Sequence, residues 1–255
     1  MPAQLDLSKL SVTQFAERFR GEMIPLSNTF SYFCASVPLS EEDLKEYLEE
    51  PVAALPPAIA SALPKISILL VPYLERANGA EKKRAEQAAG DMVSIERPPE
   101  GRIAPFTQLK LGDETVLAFA LKDQEVAEYH YRFYHLLATL LADQWTEDVE
   151  ERYSKLLREE TGADVHGEVD EASWRLKQGL RRSQNGSRGK GFREYVRQSF
   201  ADTLTLYLHG ICCDIDVDTG PRQLPSRYLR KRLQLLEDLF PPPKGYAVFP
   251  EQLEA

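Results

Sequence analysis

The chain has four histidines, and two of them lie five residues apart in Glu-Tyr-His-Tyr-Arg-Phe-Tyr-His, residues 128–135. Imidazole is the commonest metal ligand, so His130 and His135 are the first candidates for chemistry. On a helix, five residues separate two side chains by about 140°. A helical ligand pair needs a spacing of three or four. A zinc-peptidase helix would read His-Glu-x-x-His, and counting back from His135 those first two places hold Tyr131 and Arg132. The projection therefore predicts His130 at the edge of an apolar face marked by Val126, Phe133, Leu137, Leu140 and Leu141. It predicts His135 on the polar face near Glu128 and Thr139. Either one could join a divalent-metal site completed by another element.

The best partner element is the stretch Phe192–Ile211. Its apolar residues cover most of a helical circumference, the mark of a central helix. Against them runs a narrow polar line, Gln198, Asp202, Thr205 and His209, at i, i+4, i+7 and i+11. Asp202 could orient the His209 imidazole, or both could ligate a divalent metal with His130 or His135. The plainer alternative is a line of solvent-facing or inter-helix hydrogen bonds.

Two further motifs fail on spacing. Asp214, Asp216 and Asp218 open like a calcium loop, but the sixth position is Thr219 and the twelfth is Pro225. Pairing of these acids with Arg222 and Arg227 is the simpler expectation. Cys212 and Cys213 are adjacent and lack the two-residue gap of a zinc knuckle, so they read as packing residues. With Cys34 they make an odd count, a poor disulfide framework that suits a reducing compartment.

Charge is polarised along the chain. The net charge of −9 conceals a segment, residues 175–232, with 13 basic and 5 acidic residues, after 174 residues with 17 basic and 31 acidic. Arg181, Arg182, Arg188, Lys190 and Arg193 flank or occupy the Gly- and Ser-rich stretch 183–191. That makes them candidates for binding an acidic protein or a nucleic acid. It is not a nucleotide P-loop, because Gly189-Lys190 is followed by Gly191. The alternative is pairing of these cations with the acidic region, within the chain or across a homo-oligomer.

These residues need elements to hold them. Ser11 and Ser40 are helix-cap residues, the second followed by three acids in the first turn, with Pro51 as the predicted stop. Leu55–Leu63 reads as a short helix. Ser27–Val37 reads as extended or loop. Ile66–Val71, Met92–Glu96 and Thr115–Leu121 read as strands. Ala77–Ala89 reads as a solvated helix or a loop. Pro98–Gly112 reads as a punctuated connection. From Asp123 the pattern is helical, with caps expected at Asp123, Thr146 and Asp170 and a last helix opening at Pro225-Ser226. The final residues read as an extended tail that docks through Tyr246, Val248 and Phe249.

The fold class expected is α+β and predominantly helical: a small sheet in the first half and a bundle-like helical second half. It is read as one globular domain, divisible into a mixed α/β region (residues 1–122), a helical region (residues 123–240) and a tail (residues 241–255). No charged-then-apolar leader opens the chain and no apolar run approaches a membrane span, so a cytoplasmic protein is expected. The leading functional expectation is a non-enzymatic binding or scaffold protein that engages an acidic partner through its basic loop. The alternative is a metal-dependent hydrolase, in the manner of a degenerate zinc peptidase, built on Asp202, His209 and a histidine of the 123–145 helix.

Overall fold

The computed structural model describes residues 10–37, 39–77, 90–182, 189–213 and 222–249. The chain is α+β, as its pattern predicts. It forms two compact units, one of residues 1–52 and 63–129, the other of residues 53–62 and 130–255. The sequence pattern changes at 122/123; the units part between Tyr129 and His130, inside a helix.

The first unit opens with α1, Val12–Phe19. Its N-terminus is closed by a capping box: the Ser11 hydroxyl accepts from the Gln14 N–H at 3.2 Å, and the Gln14 side chain accepts from the Ser11 N–H at 3.1 Å. Ser40 caps α2, Glu41–Leu44, in the same way with Asp43. The predicted stop at Pro51 does not occur. The chain passes through a π-helical stretch, Lys45–Glu49, into α3, Glu50–Ala53, and the Glu50 N–H reaches back to the Lys45 carbonyl. This wider turn accommodates a proline that has no N–H to give.

Among the described residues, eight strands form two sheets. Strands β1 (Ile24–Pro25), β2 (Phe30–Cys34), β3 (Lys65–Val71), β8 (Glu114–Ala120) and β7 (Phe106–Leu111) lie side by side in that order. The β2–β3 and β3–β8 pairs are parallel and the outer pairs antiparallel. Strands β5 (Met92–Ser94), β4 (Tyr73–Glu75) and β6 (Ile103–Ala104) make the smaller antiparallel sheet. The continuous apolar runs of β3 and β8 are the central, buried strands, as such runs require. Leu69, Val71, Val116, Ala118 and Ala120 share one core with Val12, Phe15 and Ala16 of α1. β7 lies inside the stretch expected as a connection. It is an edge strand that exposes Gln108 and Lys110, so its polar residues hide its strand character. The expected strands at 66–71, 92–96 and 115–121 are present.

The second unit is helical: α4 (Pro57–Ala62), α5 (Val126–Ala142) from His130 onward, α6 (Glu147–Gly162), α7 (Glu171–Arg182), α8 (Lys190–Cys212) and α9 (Ser226–Leu239). Asp123 does not cap α5. It stands at φ +61° and pairs with Arg97 at 2.8 Å, and the helix begins at Val126. Thr146 caps α6 by accepting from the Val149 N–H, and the Asp170 carboxylate accepts from Ala172 at the start of α7. The broad apolar arc of α8 is buried, including Phe192, Tyr195, Phe200, Leu204 and Tyr207. Of the tail, Phe249 is buried, with the Arg230 guanidinium 4.6 Å over its ring. Among the described residues no helix is long and apolar enough to cross a membrane.

The charge split closes inside this second unit. Its two segments hold 18 basic and 20 acidic residues, close to balance. Arg181 meets Asp164 at 2.6 Å, Arg175 and Arg222 meet Glu171, and Arg197 pairs with Asp143. Deepest lies Arg232, with no solvent exposure. Its guanidinium donates to Glu160 at 2.6 Å, Glu168 at 2.7 Å and the Ser199 hydroxyl at 2.8 Å. Lys177 adds a second cation, donating to Glu168 at 3.0 Å and to the Gly167 carbonyl at 2.8 Å, and the Tyr195 hydroxyl donates to Glu168. Burial alone would raise the Glu168 carboxyl; Arg232 first, then Lys177 and Tyr195, bring it down to about 2. Two cations and two carboxylates thus balance within the core. Gly167 makes the approach possible: at φ +81°, a Cβ there would stand 2.0 Å from the Gln223 carbonyl oxygen.

Candidate metal centre

The site is built where α5 and α8 meet within the second unit. His130 and His135 are about 140° apart around α5, as projected, yet both turn toward α8. Between them, at about 40° and 100° from His130, lie Tyr134 and Tyr131. This whole arc faces α8: His130 and Tyr134 pack near His209, Tyr131 lies between His209 and His135, and His135 Nδ1 stands 3.5 Å from the Thr205 hydroxyl. The polar line Gln198–His209 is therefore an inter-helix line, the second of the two plainer alternatives. Asp202 is 3% exposed, Thr205 wholly buried and His209 9% exposed.

The line divides into two halves. In the first, Asp202 Oδ1 accepts from Gln198 at 2.8 Å, while Oδ2 has no hydrogen-bond partner among the described residues. The Ser173 hydroxyl donates to the Asp170 carbonyl, and the Asp170 carboxylate accepts from Tyr131 at 3.0 Å. Burial raises the Asp202 carboxyl; Ser173 and Gln198 offset part of that rise, and Asp170 adds to it. No hydrogen bond joins Asp202 to His209 among the described residues. The expected Asp202–His209 pairing is replaced by Asp202 with Gln198 and His209 with His130, because seven residues of helix place them two turns apart.

In the second half, His130, Cys212 and Cys213 each offer one donor atom, and these three atoms lie within 4.8 Å of one another. Cys213 Sγ is 3.2 Å from His130 Nδ1. His130 is buried and the two thiols are half-buried. None of the three cysteines is in a disulfide. The helix end explains how neighbouring cysteines reach one point. Cys212 is the last helical residue, and Cys213 is extended at φ −135°, ψ 145°, while its N–H still donates to the His209 carbonyl at 2.9 Å. Consecutive helical side chains diverge by about 100°. Leaving the helix between them re-aims the second thiol. The adjacency of Cys212 and Cys213, without the two-residue gap of a zinc knuckle, hides this convergence in the sequence. The legible signal is His209-x-x-Cys212, an i, i+3 pair on one face of α8, with Cys213 just beyond the helix end.

Two thiols and an imidazole are soft and borderline donors, the set that suits zinc. His209 lies beside them, its ring centre 6.4 Å from that of His130. Burial, and then His130, lower its imidazole to about 4, so it is neutral at pH 7.

Of the candidate partner-binding residues, Arg181 is engaged with Asp164. Arg182, Lys190 and Arg193 are exposed and carry no ion pair among the described residues. Arg188 and the Asp214–Asp218 run lie outside the described residues, as do 78–89 of the predicted solvated helix or loop. Compared with known proteins, the chain matches no family model, no curated protein and no solved structure.

Proposed function

We propose that this protein binds a thiophilic divalent metal ion, with zinc the ion its donors suit best, through His130, Cys212 and Cys213. The observation that carries the reading is the convergence of three donor atoms, from two helices, within 4.8 Å. The metal would fasten the C-terminal end of α8 to α5, and the thiols would bind as thiolates, releasing protons. Asp202 faces other groups, so support goes to a binding centre more than to the hydrolase reading. Protein expressed with zinc and freed of loose metal should contain one zinc per chain by elemental analysis. Cys212→Ser/Cys213→Ser should contain almost none while keeping its helical circular dichroism. Zinc-free wild-type protein would overturn the reading.

A second reading rests on a different observation. Arg182, Lys190 and Arg193 stand exposed without ion pairs among the described residues, while Arg175, Arg181, Arg197 and Arg222 are paired. We propose these three cations, with Arg188, as the contact for an acidic protein or nucleic acid. Wild-type protein should be retained on heparin at low salt and released as salt rises, and Arg182→Glu/Lys190→Glu/Arg193→Glu should flow through. A wild-type protein that flows through at low salt removes this reading.

A further inference from the structure

Resting on the metal reading, we infer that His209 is the fourth ligand, which makes the centre a closed site of four protein donors and gives the metal a structural role. His209 precedes Cys212 and Cys213 by three and four residues, and the Cys213 N–H to His209 carbonyl bond holds that last turn intact. Cys212, at i+3, therefore shares a face of α8 with His209, and the extended Cys213 brings its thiol to His130 from just past the helix end. His209 is nine-tenths buried, and neither ring nitrogen has a hydrogen-bond or ion-pair partner among the described residues. Its surroundings are rings: His130 at 6.4 Å, Tyr131 at 6.3 Å and Tyr134 at 6.1 Å between centres. A nearly buried imidazole is normally hydrogen-bonded. This one lies beside three converging donors, its ring centre 6.4 Å from that of His130. Two imidazoles on one zinc, with Zn–N of about 2.0 Å and tetrahedral angles, stand about 5 Å apart between ring centres. At 6.4 Å the two rings stand farther apart than that, so His209 must turn toward the cluster to bind.

The fourth donor decides what the metal does. Three protein ligands leave a position for water and so for hydrolysis; four close the shell and leave a structural site. Cys212 and Cys213 stand where α8 ends, so the closed site fixes that end to α5 through His130.

Cobalt(II) titrated into the reduced, metal-free full chain separates this inference from the reading beneath it. Wild-type protein should show thiolate-to-cobalt charge transfer and the intense visible bands of a tetrahedral site. His209→Gln should keep the charge transfer, lose most of the visible intensity and bind cobalt at least about tenfold more weakly. His209→Cys should restore the tetrahedral bands and add thiolate charge transfer, which a merely structural His209 would not do. Wild-type spectrum and affinity in His209→Gln would overturn the fourth ligand and leave the metal reading standing. No charge transfer in wild-type protein would overturn both.

Discussion

Two polar clusters are buried in the same helical unit, and they are built on opposite lines. Around Arg232, two cations meet two carboxylates, and Ser199 and Tyr195 add hydrogen bonds, so the cluster balances itself. Around His130, the imidazole and two thiols are all electron-pair donors, with a second imidazole alongside. A self-balanced buried cluster is explained by the fold alone. A convergent set of donors is the arrangement that the proposed metal ion would require. The comparison also locates the charge asymmetry of the sequence: acids from 143–171 take up many of the described basic residues of 175–232, within one unit.

Breaking the balanced cluster should have the largest effect. Arg232→Met strands Glu160 and Glu168 in the core and should cost about 3–5 kcal/mol in urea unfolding. Replacing Glu160 by Gln as well should recover some of that loss, since Glu168 then still pairs with Lys177 and no buried charge is left alone. A single variant as stable as wild type would show that the cluster is not the balanced unit described. Gly167→Ala should cost about 2 kcal/mol or more, from the Gln223 carbonyl in its path and the positive φ.

The pH dependence of stability sharpens the same contrast. The Glu168 carboxyl is held below its ordinary 4.5, at about 2. Its contribution is therefore full above about 4.5 and is lost as pH falls toward about 2. Glu168→Gln should flatten the acid limb of the stability profile in that window, and an unchanged limb would contradict the assignment. Asp202 has the opposite sign. Its carboxyl is raised by burial, so the native state prefers it protonated and its ionisation costs stability as pH rises. Asp202→Asn should match or exceed wild-type stability at pH 7, by about 1 kcal/mol at most, and the difference should vanish in acid. Loss of stability at pH 7 would mean that the hydrogen bonds from Gln198 and Ser173 outweigh the effect of burial.

The periodic elements were legible in the sequence because one physical signal sets each. The apolar runs of β3 and β8 mark central strands, Ser11, Ser40 and Thr146 mark caps, and the wide apolar arc of α8 marks a central helix. What stayed hidden depended on tertiary partners. β7 has a polar, edge-strand sequence and exists through pairing with β8. The π-helical passage through Pro51 is set by backbone geometry that no propensity registers. At the site, His130 and His209 were found by residue type, but their meeting with Cys212 and Cys213 depends on where α8 ends and on which arc of α5 faces it. Arg232 looked like one cation of a basic helix start, and only the fold shows that it is buried against Glu160 and Glu168.

The most direct test of the contrast is thermal unfolding of the reduced protein with excess zinc and with a chelator. Wild-type protein should melt several degrees higher with zinc, because an ion that binds only the native state stabilises it, while Cys212→Ser/Cys213→Ser should melt at one temperature in both. Equal melting temperatures for wild-type protein in zinc and in chelator would contradict the account, leaving the His130–Cys213 cluster as a packed core like the one around Arg232.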